Sequence, residues 1–288
     1  MLNTALGASC LSLLPAALAQ KVAQPESLGV GGGVGSPQWQ SVAWFNGHDR
    51  HIVSIHPNQP EHIVLHQYAG SLSASQIKLQ LEPAVSLLLE GQCHSANPRL
   101  HQARQRYFLT FCSGRSLSSM QGYVAVSDHL NGPYRLQRTT PIAAATELSL
   151  FNDQQGETYA LISDGEMIAV TPFEAKTQRT GKRTALWLTT ANNSLRLTSP
   201  VLTLSRQGVV LAALDHTGQQ LHQYDSENIY TQWQSRPPLA ISQLNQYSPA
   251  RLAFDSQGQL WSASNAFDAS RSSSARVDLT PLTSVQRA

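Results

Sequence analysis

The chain has 288 residues, with 20 Lys+Arg against 18 Asp+Glu and a formal charge of +2. That length allows one large β domain or two ordinary ones, with ample apolar surface to bury. Charged residues are 13 % of the chain, against the ~25 % usual for soluble proteins, and glutamine fills the gap with 27 positions. Charges so few and so scattered exclude a coiled coil, a charged disordered tail and a basic nucleic-acid footprint.

Residues 5–19 carry no charge and are apolar or small, and Ala17-Leu18-Ala19 before Gln20 fits a small-x-small cleavage site. Residues 1–19 are therefore expected to be a signal peptide, and the protein periplasmic or secreted. The run is too short to span a membrane. No Lys or Arg precedes it, so a cytosolic protein with a frayed N-terminus is the alternative. A lipoprotein at Cys10 is the weaker variant, because Gly7 stands where a lipobox has Leu. Residues 20–38, with Gly31-Gly32-Gly33 and Gly35, are expected to be a linker, and 39–288 a single domain. Beyond the signal two cysteines remain, Cys93 and Cys112. They are open to two readings, one disulfide in an oxidising compartment or two buried thiols. No Cys/His spacing suggests a structural zinc site.

Past the signal almost nothing reads as a helix. Segments 42–44, 107–111, 123–126 and 209–214 are short, alternating and rich in β-branched or aromatic residues, and polar turns separate them. This is the pattern of an all-β sandwich, barrel or propeller. Internal self-similarity narrows the choice. ELSLFNDQQG (147–156) leading into YALI, SPVLTLSRQG (199–208) leading into VVLAAL, and SPARLAFDSQG (248–258) leading into QLW are three copies of one unit. Their turn glycines, Gly156, Gly208 and Gly258, are 52 and 50 residues apart. NPRL (97–100) with YFLTF (107–111), and WFNG (44–47) before Ile52-Val53, are two upstream copies. A second element recurs as Val126-Ser127-Asp128 before Gly132-Pro133-Tyr134, and Tyr224-Asp225-Ser226 before Trp233. A period near fifty built of hairpins means propeller blades stacked around a channel, and the 269 residues after cleavage hold about five. The expectation is an all-β, five-bladed β-propeller, with a β-sandwich as the alternative.

GYVAVSDHLNGPY (122–134) resembles the VAVSDSPTGPF element of the five-bladed propellers of glycoside hydrolase family 43. LSLFNDQQG (148–156) with Tyr159 is similar to that family's SLFxDDDGxxYL. CHSANPRL (93–100) with YFLTF (107–111) is similar to CxxERPKV…KYVMWF of the exo-β-1,3-galactanase branch, and residues 269–282 resemble its closing SRYVWLPL. The resemblance covers residues 93–282, and the order and spacing of these motifs are more specific than any one of them. It implies a glycosidase-like propeller whose catalytic groups project from the starts of the innermost strands into a central funnel.

Inverting hydrolysis needs one carboxyl group to protonate the leaving oxygen and a second to activate water. The family's acid is the Glu of EGP opening the fourth blade, and here that tripeptide is Thr198-Ser199-Pro200. A threonine hydroxyl is far too weak an acid for the task. The Glu of ERP falls on Ala96 with Asn97 in place of the Arg, the fifth-blade Gln falls on Pro249, and the HGGG segment loses its His at Val30. Glu147 stands where the family has the Asp that orients the acid. It is either a functional carboxylate or a structural acceptor for backbone N–H groups.

Among the remaining candidates, His94 precedes the second inner strand and is a channel-lining residue or a solvated one. Asn97, Thr198, Tyr247 and Arg271 are the other ligand-facing candidates. Trp39, Trp44, Tyr247 and Trp261 supply faces on which sugar rings stack, or fill the space between blades, and Trp261 reads as core. Asp153 and Asp255 read as turn formers, and Asp128 and Asp225 as blade-capping acceptors. His51 with His56, and His62 with His66, are four apart; on a strand that is about 13 Å, too far for one simple metal site. A channel calcium is open in this architecture without identifiable ligands, and no cofactor is expected. Three functions follow: an exported, catalytically degenerate propeller binding an oligo- or polysaccharide or a protein; a hydrolase of β-galactan, arabinan or xylan side chains with a relocated acid; or a structural platform in the envelope. Neither nucleic acid nor a transmembrane segment is expected.

Overall fold

The computed structural model describes residues 26–29, 40–46, 49–56, 59–68, 74–90, 97–181, 184–185, 196–241, 251–255, 257–267 and 275–284. They form five antiparallel sheets. Blade 1 comprises Gln40–Asn46, Asp49–His56, Gln59–Tyr68 and Ala74–Lys78, paired in that order. Blade 2 begins with Arg99–Ala103, blade 3 with Glu147–Asn152, blade 4 with Leu197–Ser205 and blade 5 with Arg251–Phe254. These first strands touch one another pairwise in a closed ring, blade 5 meeting blade 1, so they are the inner strands around the axis. The five-bladed β-propeller expected from the fifty-residue period is the fold.

The reason lies in the strand alternation. Side chains of a strand point to opposite faces in turn, and a blade between two neighbours must be apolar on both. In blade 4 the second strand, Gly208–Asp215, is buried along its whole length. Its Val209, Leu211 and Ala213 pack on blade 3 with Phe151, Leu161 and Val170, while Ala212 and Leu214 pack on blade 5 with Leu252 and Leu260. The same division repeats at every interface. Phe108, Cys112 and Val124 of blade 2 meet Leu148, Ala160 and Ile162 of blade 3. Trp44, Val53 and Leu65 meet Leu100, Leu109 and Phe111 between blades 1 and 2, and Ala253, Trp261 and Ala263 meet Ala43 and Ile52 between blades 5 and 1. Five interfaces thus carry five apolar clusters.

Two features depart from expectation. Within the span read as a linker, Glu26–Gly29 is a strand that pairs antiparallel with Ala275–Ser284 and completes blade 5. The N-terminal part of the chain therefore closes the ring on its C-terminal part. Second, Pro83–Glu90 is a helix, where the sequence suggested almost none. Proline is tolerated in a first turn because its missing N–H has no intrahelical partner to lose. Val85 and Leu89, one turn apart, are both fully buried in the cluster between blades 1 and 2. No helix among the described residues is long and apolar enough to cross a membrane.

The turn residues behave as expected. Asp153 Oδ1 accepts the N–H groups of Gln155 and Glu157 at 2.9 and 2.8 Å, and Asp255 Oδ1 those of Gln257 and Gln259, both at 2.8 Å. Gly156 and Gly258 sit at φ 79° and 81°, the left-handed conformation that such a turn requires. Asp128 and Asp225 accept from arginines of their own blades, Arg106 at 2.9 Å and Arg236 at 2.5 and 2.6 Å. The closing aromatics of the second recurring element, Tyr134 and Trp233, are buried between blades.

Candidate active site

Four inner strands bring their first residues to one end of the channel. Arg99, Glu147 and Arg251 open the inner strands of blades 2, 3 and 5, and Ser199 is third in that of blade 4. Glu147 is 7 % exposed. Its Oε1 accepts the backbone N–H of Ser199 at 2.8 Å and faces Arg251 Nη1 at 3.4 Å, and its Oε2 faces Arg99 Nη2 at 3.5 Å. Arg99 also reaches the Ser199 hydroxyl at 3.2 Å and donates to the carbonyl of Leu252 at 3.0 Å. The Ser199 hydroxyl in turn accepts the Leu252 N–H at 2.8 Å. One contiguous polar cluster therefore clasps blades 2 to 5 across the axis.

Backbone geometry in blade 4 makes this clasp. The ladder shifts register between Thr198 and Val201. Within that irregularity Ser199 takes φ 51°, an unfavourable region for a residue with a side chain. A bulge re-aims what it carries: here the Ser199 N–H points to Glu147 and its hydroxyl lies between Arg99 and Leu252. Burial lowers the pKa of the Arg99 guanidinium; the charge of Glu147 opposes that fall and the charge of Arg251 adds to it.

Below the clasp the inner strands line an open cavity of about 380 Å³. All five blades line it, Trp44, Arg99, His101, Asn152, Thr203 and Phe254 among the contributors. His101 Nε2 lies 3.1 Å from Asn152 Oδ1, which also accepts the Thr158 hydroxyl at 3.0 Å. Burial lowers the His101 pKa to about 4, the Asn152 contact opposing it.

Of the residues singled out from sequence, Glu147 lies at the centre of the clasp. Asn97 is buried at φ 41°, and its Nδ2 donates to the Thr146 carbonyl at 2.7 Å, tying the start of blade 2 to that of blade 3. Thr198 is half-buried with its hydroxyl 3.4 Å from the Asp215 carbonyl. His94, Tyr247 and Arg271 lie outside the described residues, as do Ala96 and Pro249. Trp261 is core, 6 % exposed, and its indole N–H donates to Asp255 Oδ2 at 2.9 Å. His51 and His66 are buried inside blade 1, on neighbouring strands. Cys112 is a buried free thiol; Cys93, which both readings also concern, lies outside the described residues. Among the described residues no three His, Cys, Asp or Glu side chains are grouped to hold a metal.

Arg99, Ser199 and Arg251 were not singled out. A signal for the arginines exists in the repeat: Arg99-Leu100, Glu147-Leu148 and Arg251-Leu252 are a charged residue followed by leucine at equivalent places in three blades.

The fold and this ring of strand starts define a five-bladed β-propeller with a buried charged cluster at one end of its channel. No protein-family model matches the sequence, and no curated protein does. Solved structures share the fold. The GH43_1 enzyme from Xanthomonas citri complexed with xylose is 13 % identical, with a TM-score of 0.70 over 90 % of each chain. An endo-arabinase from Bacteroides thetaiotaomicron is 16 % identical, with a TM-score of 0.62 over 90 % of this chain and 98 % of its own. A GH43 β-1,3-galactosidase with bound galactodeoxynojirimycin is 12 % identical, with a TM-score of 0.61 over 84 % of this chain and 90 % of its own.

Proposed function

We infer that this protein is an exported, glycosidase-like propeller that binds carbohydrate at its central channel and does not hydrolyse glycosides by the two-carboxylate route. One observation carries the reading. Among the described residues, the polar cluster at the strand starts holds a single carboxylate, Glu147, and both its oxygens are already engaged by Ser199, Arg99 and Arg251. Inversion needs two carboxyl groups facing a substrate from opposite sides. Thr198 and Ser199 stand where the family's acid would open blade 4, and neither hydroxyl serves as a proton donor at neutral pH. Carbohydrate as ligand is supported by the fold, which it shares with an arabinase, a xylose complex and a galactosidase. Export is supported by the uncharged segment 5–19 and the small-x-small site before Gln20.

The test is to incubate the purified protein with galactan, arabinan and xylan oligosaccharides, following products by chromatography and binding by calorimetry. Saccharide binding without release of monosaccharide is the expected result. Release of monosaccharide would overturn it, and release that disappears in a Glu147→Gln protein shown to be folded would make Glu147 the relocated acid or base.

A further inference from the structure

Among the described residues the clasp holds two guanidinium groups for one carboxylate. Arg251 is nine-tenths buried, yet among the described residues its only side-chain partner is Glu147, through Nη1 at 3.4 Å. An arginine carries five N–H donors in a fixed planar fork, so most of the donors of Arg251 have no acceptor among the described residues. Arg99 satisfies its two terminal nitrogens, while its Nε is buried without a hydrogen-bond partner. Glu147 is already shared between both arginines and Ser199.

The chain supplies no second anion from the segments that lead into the inner strands. Residues 30–39, 91–98, 137–146, 186–198 and 242–250 contain no Asp or Glu. The turns at the same end of the blades do contain acids, and those described are used locally or exposed. Asp215 accepts from Thr217, Gln219 and Gln220 of its own turn, and Asp164 accepts from Glu166 and Met167, with Glu166 itself exposed. Asp268 lies outside the described residues. A surplus buried charge is costly unless paired, and a guanidinium matches a carboxylate with two parallel hydrogen bonds.

We propose that the strand-start end of the channel recognises a saccharide bearing a carboxylate, a uronic acid residue, with Arg251 as the residue that takes the carboxylate and Arg99 adding its charge. This rests on the carbohydrate-binding reading above and names the ligand class of that same site. It also gives the loss of the blade 4 acid a physical sense, since another carboxylate there would neutralise the arginines and repel an acidic sugar.

Calorimetry on the full chain decides it, using the methyl glycosides of galacturonate and glucuronate, the matched neutral methyl galactoside and glucoside, and sodium acetate as a free carboxylate. The uronates are expected to bind at least about tenfold more tightly than their neutral partners, with affinity falling as NaCl is raised. Acetate is expected to bind more weakly than either uronate. In Arg251→Gln the acid-over-neutral preference should vanish, and Arg251→Lys should restore part of it. Should Arg251→Gln fail to fold, the wild-type comparison already decides. Equal binding of acidic and neutral sugars, or acetate matching the uronates, overturns the inference and leaves the carbohydrate reading standing. No binding of any sugar overturns both.

Discussion

Glu147 accepts the backbone N–H of Ser199 at 2.8 Å across 52 residues of sequence, one blade further round the ring. A side chain at the start of one inner strand thereby satisfies an irregular backbone at the start of the next. Among the described residues the same carboxylate is the only counter-charge to Arg99 and Arg251 in the clasp. Its role in stability can therefore be separated from any role in chemistry.

Glu147→Gln should destabilise the fold by about 3–5 kcal/mol, because removing one partner of a buried ionic cluster leaves the other charges uncompensated. Urea denaturation followed by intrinsic fluorescence measures it. A group retained for catalysis alone would behave oppositely, since replacing strained active-site residues tends to be neutral or stabilising. A midpoint equal to or above that of the wild type would remove the clasp from the account of this fold.

Acid sensitivity should come from buried histidines. Burial lowers the pKa of both His66 and His101 to about 4, against about 6.5 in the unfolded chain. A histidine whose pKa falls on folding contributes stability that is complete above pH 6.5. That stability is lost as pH drops from 6.5 towards 4, where the unfolded chain binds protons and the folded one does not. For His66, 1 % exposed with neither ring nitrogen hydrogen-bonded, the loss reaches about 3 kcal/mol. Stability curves at pH 7.5 and 5 should differ accordingly, and His66→Phe should flatten the difference. An unchanged slope in that variant would place the proton uptake elsewhere.

How much of this could be read from residues alone depends on the distance over which each feature is decided. Blade number was legible because Gly156, Gly208 and Gly258 mark local turns, and the apolar runs between them are decided within a few residues. The helix Pro83–Glu90 escaped because its eight residues are too short for a periodic signature, and only Val85 and Leu89 are buried, with Leu88 partly so. Glu147 could be placed at a strand start, but its partners lie 48, 52 and 104 residues away. Their meeting requires the ring to close. The bulge that turns Ser199 inward leaves no mark in sequence beyond Pro200, and the partners it meets, Arg99, Glu147 and Leu252, come from three other blades.

The Cys112 thiol should be inert in the native protein. Burial pushes its pKa well above the ordinary thiol value, the charge of Glu147 adding to the effect while Arg99 and Arg251 oppose it. Because the thiolate is the reactive form, iodoacetamide at pH 8 should leave the Cys112 peptide unmodified until denaturant is added. Peptide mapping by mass spectrometry without reductant checks this directly. Recovery of a Cys93–Cys112 linked peptide would contradict the free thiol.

Asp153 and Asp255 build the same turn in blades 3 and 5, so their substitutions test what a second partner adds. Asp153→Ala removes the two backbone hydrogen bonds that hold the turn to Gln155 and Glu157. A net hydrogen bond to a charged acceptor is worth about 1.5 kcal/mol or more, and exposure reduces it, so a loss of about 1–2 kcal/mol is expected. Asp255→Ala removes the equivalent pair and also the bond from the indole N–H of Trp261, a side chain only 6 % exposed between blades 5 and 1. Tyr159 stands at the same offset from Asp153, but it is only half-buried and water reaches its hydroxyl. The Asp255 substitution should therefore cost about 1–2 kcal/mol more than that of Asp153, the added cost of stripping a charged acceptor from a buried donor. In a Trp261→Phe background the two costs should converge, because the indole donor is gone and only the turn remains. If Asp255→Ala stays the more damaging in that background, the excess belongs to the turn itself and not to the packing of blade 5 on blade 1.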